Sequence, residues 1–275
     1  ANVPYTGMRL MASTVLMDKA ATKRMLAGTN VPQLPFQEIK RPRQGLMLTP
    51  QELPAMPKDV AFPCCIKPAH LGSSIGVARV KDAQQVSDVL PGIFKFDDTA
   101  MLEPFVDNLV EYNVAVARID GEIRTSAIER PKRATELLDF RTKYKSGGSK
   151  GEGGAKQPGQ SSEGMLSLTR DINPDIPPEL ANNIRQWAAA VFEQVGGTGA
   201  PRLDFLCNGK TGEVWFNEAN PCPGSFGYFL WEAAKKPLLF SELLDSLIAE
   251  AIELHARRQI PLDPTPEDAR LFPRR

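Results

Sequence analysis

Along the chain, short apolar runs alternate with polar turns, and their spacing switches between helical and extended periods. Residues 16–26 carry helical spacing and stop at Gly28, with Pro32 just beyond, which predicts a first helix. Ahead of it, residues 1–10 are turn-like and open no element. A Pro-rich connector (Pro32, Pro35, Pro42, Pro54, Pro57) leads to a buried strand over 62–66. A Gly-Ser interruption follows, then a strand over 77–80, a short helix over 83–90 and a strand over 101–106 that runs into a hinge. Asp120-Gly121 is a hairpin turn joining strands over 111–119 and 123–129. Pro177-Pro178 starts an amphipathic helix that continues through Val195 and closes at Gly196-Gly197, and a last helix spans 241–257.

The segment from Arg202 to Gly224 carries the most chemistry. Leu203, Phe205 and Leu206 form an apolar run, Asn208-Gly209-Lys-Thr-Gly212 is a turn, and Val214-Trp215-Phe216 returns, so the pattern predicts a β-hairpin. Side chains alternate along a strand, which puts Arg202 with Asp204 and Glu218 with Asn220. If the strands pair, two carboxylates and an amide oxygen converge, and they repel one another unless a cation joins them. Hard cations such as Mg²⁺ take oxygen ligands of this kind and complete their shell with water and phosphate oxygens.

A phosphate grip is needed to match. Lys67-Pro-Ala-His-Leu-Gly72-Ser73-Ser74-Ile-Gly76 sits between two strands, where glycines let backbone N–H groups approach an anion closely. It lacks the Gly-Lys-Ser/Thr of a Walker A loop, and a plain hairpin turn is the simpler reading of Gly-Ser-Ser-x-Gly alone. The lysine that ends the buried strand tips the balance, because a buried ammonium requires an anion. Lys19 reads either as a surface lysine or as a second phosphate ligand. Met101-Leu-Glu103-Pro, before Val106, is either a plain strand end or a junction that suits adenine, and Glu111 is the ribose candidate or a solvated strand residue. Residues 145–164 are rich in Gly, Ser and Lys and nearly devoid of apolar anchors, so this stretch is either a flexible lid or a disordered insertion.

Composition narrows the partners. The 275 residues suffice for two lobes, and 33 basic against 33 acidic residues leave no field for nucleic acid or an anionic membrane. Small molecules are therefore the expected ligands. No apolar run approaches a bilayer span and no signal-peptide pattern opens the chain. Four cysteines without a CxxC pair predict a reduced, cytoplasmic protein without a zinc site.

Taken together, Met17-Asp18-Lys19, Lys67-Pro68, Gly72-Ser73-Ser74-Ile-Gly76, Glu103, Glu111, Lys143-Tyr144, Arg202-x-Asp204-Phe205 and Glu218-x-Asn220-Pro-x-Pro-Gly224 resemble the ATP-grasp ligases. Within them the chain is similar to the D-alanine–D-alanine ligases over about residues 4–252. The resemblance implies an α+β fold whose two lobes clamp ATP between antiparallel sheets. It implies an entry segment (1–18), a central subdomain (19–106), a C-terminal subdomain (107–255) with the lid, and a tail (256–275). Adenine would lie along Glu103 to Val106, ribose on Glu111, and phosphates on Lys19, Lys67, Ser74 and Lys143. Two Mg²⁺ ions, with Mn²⁺ as an alternative, would sit on Asp204, Glu218 and Asn220. Arg202 would stabilise an oxyanion, while Ser73 and Tyr144 would orient the second amino acid and tie the lid to the phosphate loop.

Two departures from the family pattern are visible. The resemblance implies an N-terminal domain that supplies a glutamate for the first amino acid, so the chain reads as a piece of a larger protein or as a reduced homologue. After Gly224, only Ser225 remains of the usual Ser/Thr pair for the acceptor carboxylate, in an otherwise aromatic segment through Leu230. The expected activity is an ATP-dependent carboxylate–amine ligase joining two D-alanines for peptidoglycan. A ligase with another amino-acid or hydroxy-acid acceptor, and an ATP-binding module without catalysis, stay open, as does a homodimer.

Overall fold

The computed structural model describes residues 3–72, 75–132 and 170–258. Ser73, Ser74, Lys143, Tyr144, the lid at 145–164 and the tail beyond 258 lie outside them. Two antiparallel sheets organise the described residues, one of four strands in the order β1-β4-β2-β3 and one of five in the order β7-β6-β5-β8-β9.

The smaller sheet comprises β1 (Gln37–Lys40), β2 (Cys64–Pro68), β3 (Ala78–Val80) and β4 (Thr99–Pro104). Period-two alternation splits each strand between two faces. Ile39, Cys64, Ile66, Val80, Ala100 and Leu102 bury themselves under α3 (Ala83–Ile93), against Val86, Leu90 and Ile93. Cys65, Lys67 and Glu103 therefore occupy the opposite face, with Cys65 directly across from Glu103. Strand β1 lies inside the Pro-rich connector, where the sequence showed no element. It is an edge strand of four residues with one buried side chain, too short for its alternation to register.

The larger sheet comprises β5 (Leu109–Ile119), β6 (Glu122–Pro131), β7 (Arg170–Ile172), β8 (Arg202–Asn208) and β9 (Val214–Asn220). One face packs Tyr112, Val114, Val116, Leu203, Phe205 and Phe216 against Ile184, Ala188, Val191 and Phe192 of α4 (Pro178–Gln194). That helix ends in a Schellman motif: Gly196 N–H donates to Glu193 O at 3.0 Å and Gly197 N–H to Phe192 O at 2.7 Å. The far half of the other face packs Ala115, Ala117 and Ile119 under α5 (Tyr228–Glu232) and α6 (Phe240–Arg258) through Leu230, Trp231, Leu243 and Leu247. Its near half stays polar and faces the smaller sheet.

The single helix expected over 16–26 is in fact two, α1 (Leu10–Met17) and α2 (Lys19–Met25). Asp18 breaks them by adopting an extended conformation (φ −102°, ψ 106°), and its carboxylate accepts from Ala21 N–H at 2.9 Å. Aspartate favours this N-cap geometry over a helix interior. The break matters because it sets Lys19 at the first position of α2. Met8, Ala12, Leu16 and Leu26 anchor both helices to the core of the larger sheet.

The N-terminal segment is seated by contact with Gly199. There φ is +70°, and a Cβ would stand 2.5 Å from Gly7 Cα. Gly199→Ala should cost about 2–3 kcal/mol, from the clash together with backbone strain. Gly196→Ala is the control: its φ is +63° but a Cβ there meets nothing within 4 Å, so only the strain of about 1 kcal/mol applies. Urea unfolding of both variants reads the difference, and equal losses would show that the Gly7 contact contributes nothing.

Candidate functional site

A cavity of about 610 Å³ lies between the sheets. Its floor is one row of polar residues running across four strands. Glu129 of β6 pairs with Asn113 of β5, Asn113 with Asp204 of β8, and Asp204 with Glu218 of β9. Residues in register on neighbouring strands are within side-chain contact, so three carboxylates share one line. The roof is the cleft face of the smaller sheet, with Cys65, Lys67 and Glu103. The Arg202–Asn208/Val214–Asn220 hairpin has the pairing that the sequence predicts, with one irregularity. The register slips between Asp204 and Phe205, and two residues of β9, Asn217 and Glu218, share the space of one.

Each acid of the floor is held by a partner. Arg202 Nε and Nη2 grip Asp204 with two bonds of 2.8 Å. Lys19 Nζ lies 3.1 Å from Glu218 and donates to Leu71 O at 2.5 Å, which ties the base of the Gly-Ser loop to the acid row. Glu129, fully buried, accepts from Asn113 Nδ2 and Arg170 Nη1, both at 2.9 Å. Burial raises the Asp204 carboxyl to about 6; Arg202 opposes the rise, while Glu218 and Glu111 add to it.

The roof has its own ion cluster. Glu103, 2% exposed, is contacted by Lys67 Nζ at 2.5 Å and Lys23 Nζ at 2.6 Å. Burial alone would raise this carboxyl, but the Lys67 and Lys23 ammoniums hold it below its ordinary range. The lysines respond oppositely. Burial depresses Lys23 more than Glu103 lifts it, whereas Lys67 ends above its ordinary value because Glu103, Cys65 and Glu218 together outweigh burial. Lys67 Nζ also donates to Asn217 Oδ1 at 2.9 Å, joining roof to floor. At the mouth, His70 Nδ1 meets Asp97 Oδ1 at 2.7 Å and its backbone N–H donates to Asp97 Oδ2 at 2.8 Å. Burial works against the His70 imidazolium, yet Asp97 and Asp18 lift its pKa.

Of the residues expected from sequence, Lys19, Lys67, Glu103, Val106, Glu111, Arg202, Asp204, Glu218 and Asn220 all line this one cavity. Lys19 is buried, not the surface lysine of the simpler reading. Asn220 Oδ1 accepts from Cys222 N–H at 3.1 Å and so caps the turn that follows. Gly224 and Ser225 are exposed and absent from the described cavity wall. The aromatic segment there has a packing role, since Phe226, Tyr228 and Phe229 rest against the core beneath α5 and α6.

Sequence reasoning missed Lys23, Asn113, Glu129, Arg170 and Asn217. Two of them carried a readable signal: Lys23 follows Lys19 by one helical turn, and Asn113 follows Glu111 by one strand period. Asn217 carried none, because regular alternation turns it away from Glu218 and only the bulge brings it in.

The family whose description is D-ala D-ala ligase C-terminus matches residues 25–249. The D-alanine--D-alanine ligase of Thermosipho africanus (strain TCF52B) is 31% identical over 253 residues, covering 92% of this chain and 62% of that protein. That of Campylobacter lari (strain RM2100) is 30% identical over 261 residues, 95% of this chain and 64% of that protein. Among solved structures, the D-alanine-D-alanine ligase from Coxiella burnetii aligns with a TM-score of 0.67 at 24% identity, over 94% of this chain and 63% of that one. The VanG D-Ala:D-Ser ligase from Enterococcus faecalis aligns with a TM-score of 0.66 at 21% identity, over 91% of this chain and 66% of that one. The chain thus spans 62–64% of the length of these two curated relatives. Its fold is the ATP-grasp fold, and the chain belongs to the D-ala D-ala ligase C-terminus family.

Proposed function

We propose that this cavity is the nucleotide and reaction site of an ATP-dependent carboxylate–amine ligase that forms a D-alanyl-D-alanine-type dipeptide. The observation that carries the reading is the meeting, in one cavity, of Lys19, Lys67 and Arg202 with the facing carboxylates Asp204 and Glu218. A binding module has no use for an arginine clamped edge-on beside an acid pair.

ATP would enter with its base along Glu103 to Val106 and its ribose at Glu111, leaving the phosphates over the acid row. Lys19 and Lys67 hold their oxygens, and phosphoryl transfer needs little beyond such positioning and charge neutralisation. The donor set fits Mg²⁺: paired carboxylates, one raised to about 6 partly by the other, with the Asn220 amide alongside. Asp204, Glu218 and Asn220 would hold the metal, which would supply positive charge to offset that of the phosphates. The γ-phosphoryl group passes to the carboxylate of the first amino acid, giving an acyl phosphate and ADP. The amine of the second then attacks the acyl carbon, and inorganic phosphate leaves as the peptide bond forms. Arg202 spends Nε and Nη2 on Asp204, so Nη1 is the donor it would offer to a developing oxyanion. Another acceptor than D-alanine is the second reading, favoured by the position of Gly224 and Ser225 outside the described cavity wall.

ADP release with Mg-ATP and D-alanine, L-alanine serving as control, tests the proposal, with mass identification of the dipeptide. D-alanine-dependent ADP together with D-Ala–D-Ala is the expected result, and ADP release indifferent to every amino acid would overturn the ligase reading. Arg202→Ala should keep Mg-ATP affinity while turnover falls about 100- to 1000-fold. Glu218→Gln should lose metal-dependent ATP binding itself; titration calorimetry showing wild-type affinity there would remove Glu218 from the metal set.

The raised Asp204 pKa adds a pH dependence. Its value of about 6 exceeds the ordinary 3.8, so the group favours folding at low pH and that contribution is lost as pH rises from about 4 through 6. A bound cation would offset the cost of the buried Asp204 charge and its repulsion from Glu218 and Glu111. Mg²⁺ should therefore raise the melting temperature more at pH 7.5 than at pH 5, and Asp204→Asn should abolish the difference. Equal shifts at both pH values in the wild type would exclude Asp204 as a ligand.

A further inference from the structure

Lys23 is a second buried lysine on α2, and the mechanism above makes no use of it. Its side chain is 2% exposed, and it does not reach the described cavity wall, whereas Lys67 and Glu103 do. Its ammonium has two acceptors, Glu103 Oε1 at 2.6 Å and Leu34 O at 2.9 Å. The other Glu103 oxygen belongs to Lys67. One carboxylate thus sits between a lysine behind it and a lysine in front.

We propose that Lys23 is a positioning residue for nucleotide binding: it neutralises Glu103 from behind, so that Lys67 presents an unspent positive charge to the phosphates. The inference rests on reading the cavity as the Mg-ATP site. Two ammoniums and one carboxylate leave the cluster with a net charge of one, and Lys67 is the member that carries it to the cavity. Without Lys23 the remaining Lys67–Glu103 pair is formally neutral. Glu103 would then hold Lys67 inward with the full attraction of a buried contact, and a phosphate would have to compete with it. Glu103 Oε1 would also be left buried without its charged partner.

The arrangement follows from α2. Lys19 and Lys23 are four residues apart and share a helical face. Because Asp18 starts the helix where it does, Lys19 points at Glu218 and the loop, while Lys23 points one turn deeper at Glu103. Lys67 is then fixed between Glu103 and Asn217 on the face that lines the cavity.

The test compares Mg-ATP with adenosine, which lacks phosphates, by titration calorimetry. Lys23→Met should weaken Mg-ATP binding about tenfold or more while adenosine affinity stays within about twofold. Lys23→Met combined with Glu103→Gln restores the net charge and should recover most of the lost Mg-ATP affinity. A purely structural Lys23 would lower the melting temperature and shift both ligands equally, which would overturn the proposal. Where Lys23→Met folds poorly, Lys23→Gln keeps a hydrogen-bond donor to Glu103 without the charge. It should show the same selective loss, and wild-type Mg-ATP affinity in that variant would equally overturn the proposal. A wild-type protein that binds no Mg-ATP would overturn the reading of the cavity itself.

Discussion

A carboxylate or an ammonium removed from water must find its opposite, and this rule organises the space between the two sheets. Lys67 is shared by Glu103 on its own sheet and Asn217 on the other. Lys19 is shared by the Leu71 carbonyl and Glu218. These two ammoniums tie the lobes together and line the cavity. The cavity is therefore built from charges that already have partners, and on the proposed reading a phosphate would enter by sharing those partners. Preorganisation of this kind holds the donors in place before the ligand arrives.

Several local features exist to make that pairing geometrically available. Asp18 interrupts what would be one helix, and the break aims Lys19 and Lys23 along a common face of α2. The β9 bulge puts Asn217 and Glu218 on the same side, so that one takes Lys67 and the other takes Lys19. Bulges recur beside active sites because they re-aim a side chain that strict alternation would bury. The apolar faces do the complementary work. Phe205 and Phe216 pack edge to face at 5.7 Å beneath the hairpin, holding level the strands that carry Asp204 and Glu218.

How far the sequence reveals this site depends on the range of the interaction. The 202–220 hairpin was legible because its turn, its apolar run and its acids lie within one short window, and local signals suffice. Lys67 was legible because a lysine at the end of an apolar strand is anomalous wherever it lies. The break at Asp18 was missed because Leu16 and Leu26 fit one helical stripe, and only the cap geometry separates them. Strand β1 escaped because a short edge strand draws its stability from pairing with β4, over sixty residues away. Arg170 and Glu129 are likewise forty-one residues apart, and nothing local to either announces the other. Around Gly224 the sequence shows an aromatic run but not how it packs. Ser225, Phe226 and Gly227 all adopt left-handed conformations, with φ of 49°, 54° and 62°, and swing the aromatics onto the core beneath α5 and α6.

The charge inventory of the cavity bears on what it can bind. Among the described lining residues, Lys19, Lys67, Arg170 and Arg202 face Glu103, Glu111, Glu129, Asp204 and Glu218, while His70 is committed to Asp97. Four cations against five carboxylates leave the wall slightly acidic, and Lys23 behind Glu103 brings it only to balance. On the proposed reading, a triphosphate would meet local positive charge at Lys19 and Lys67 but no net charge attraction from these described residues taken together. On that reading, a divalent cation held by Asp204 and Glu218 would supply the neutralisation these acids need. Lysines matched to carboxylates would, on the same reading, make triphosphate affinity depend on a metal at Asp204 and Glu218, where it would neutralise phosphate charge.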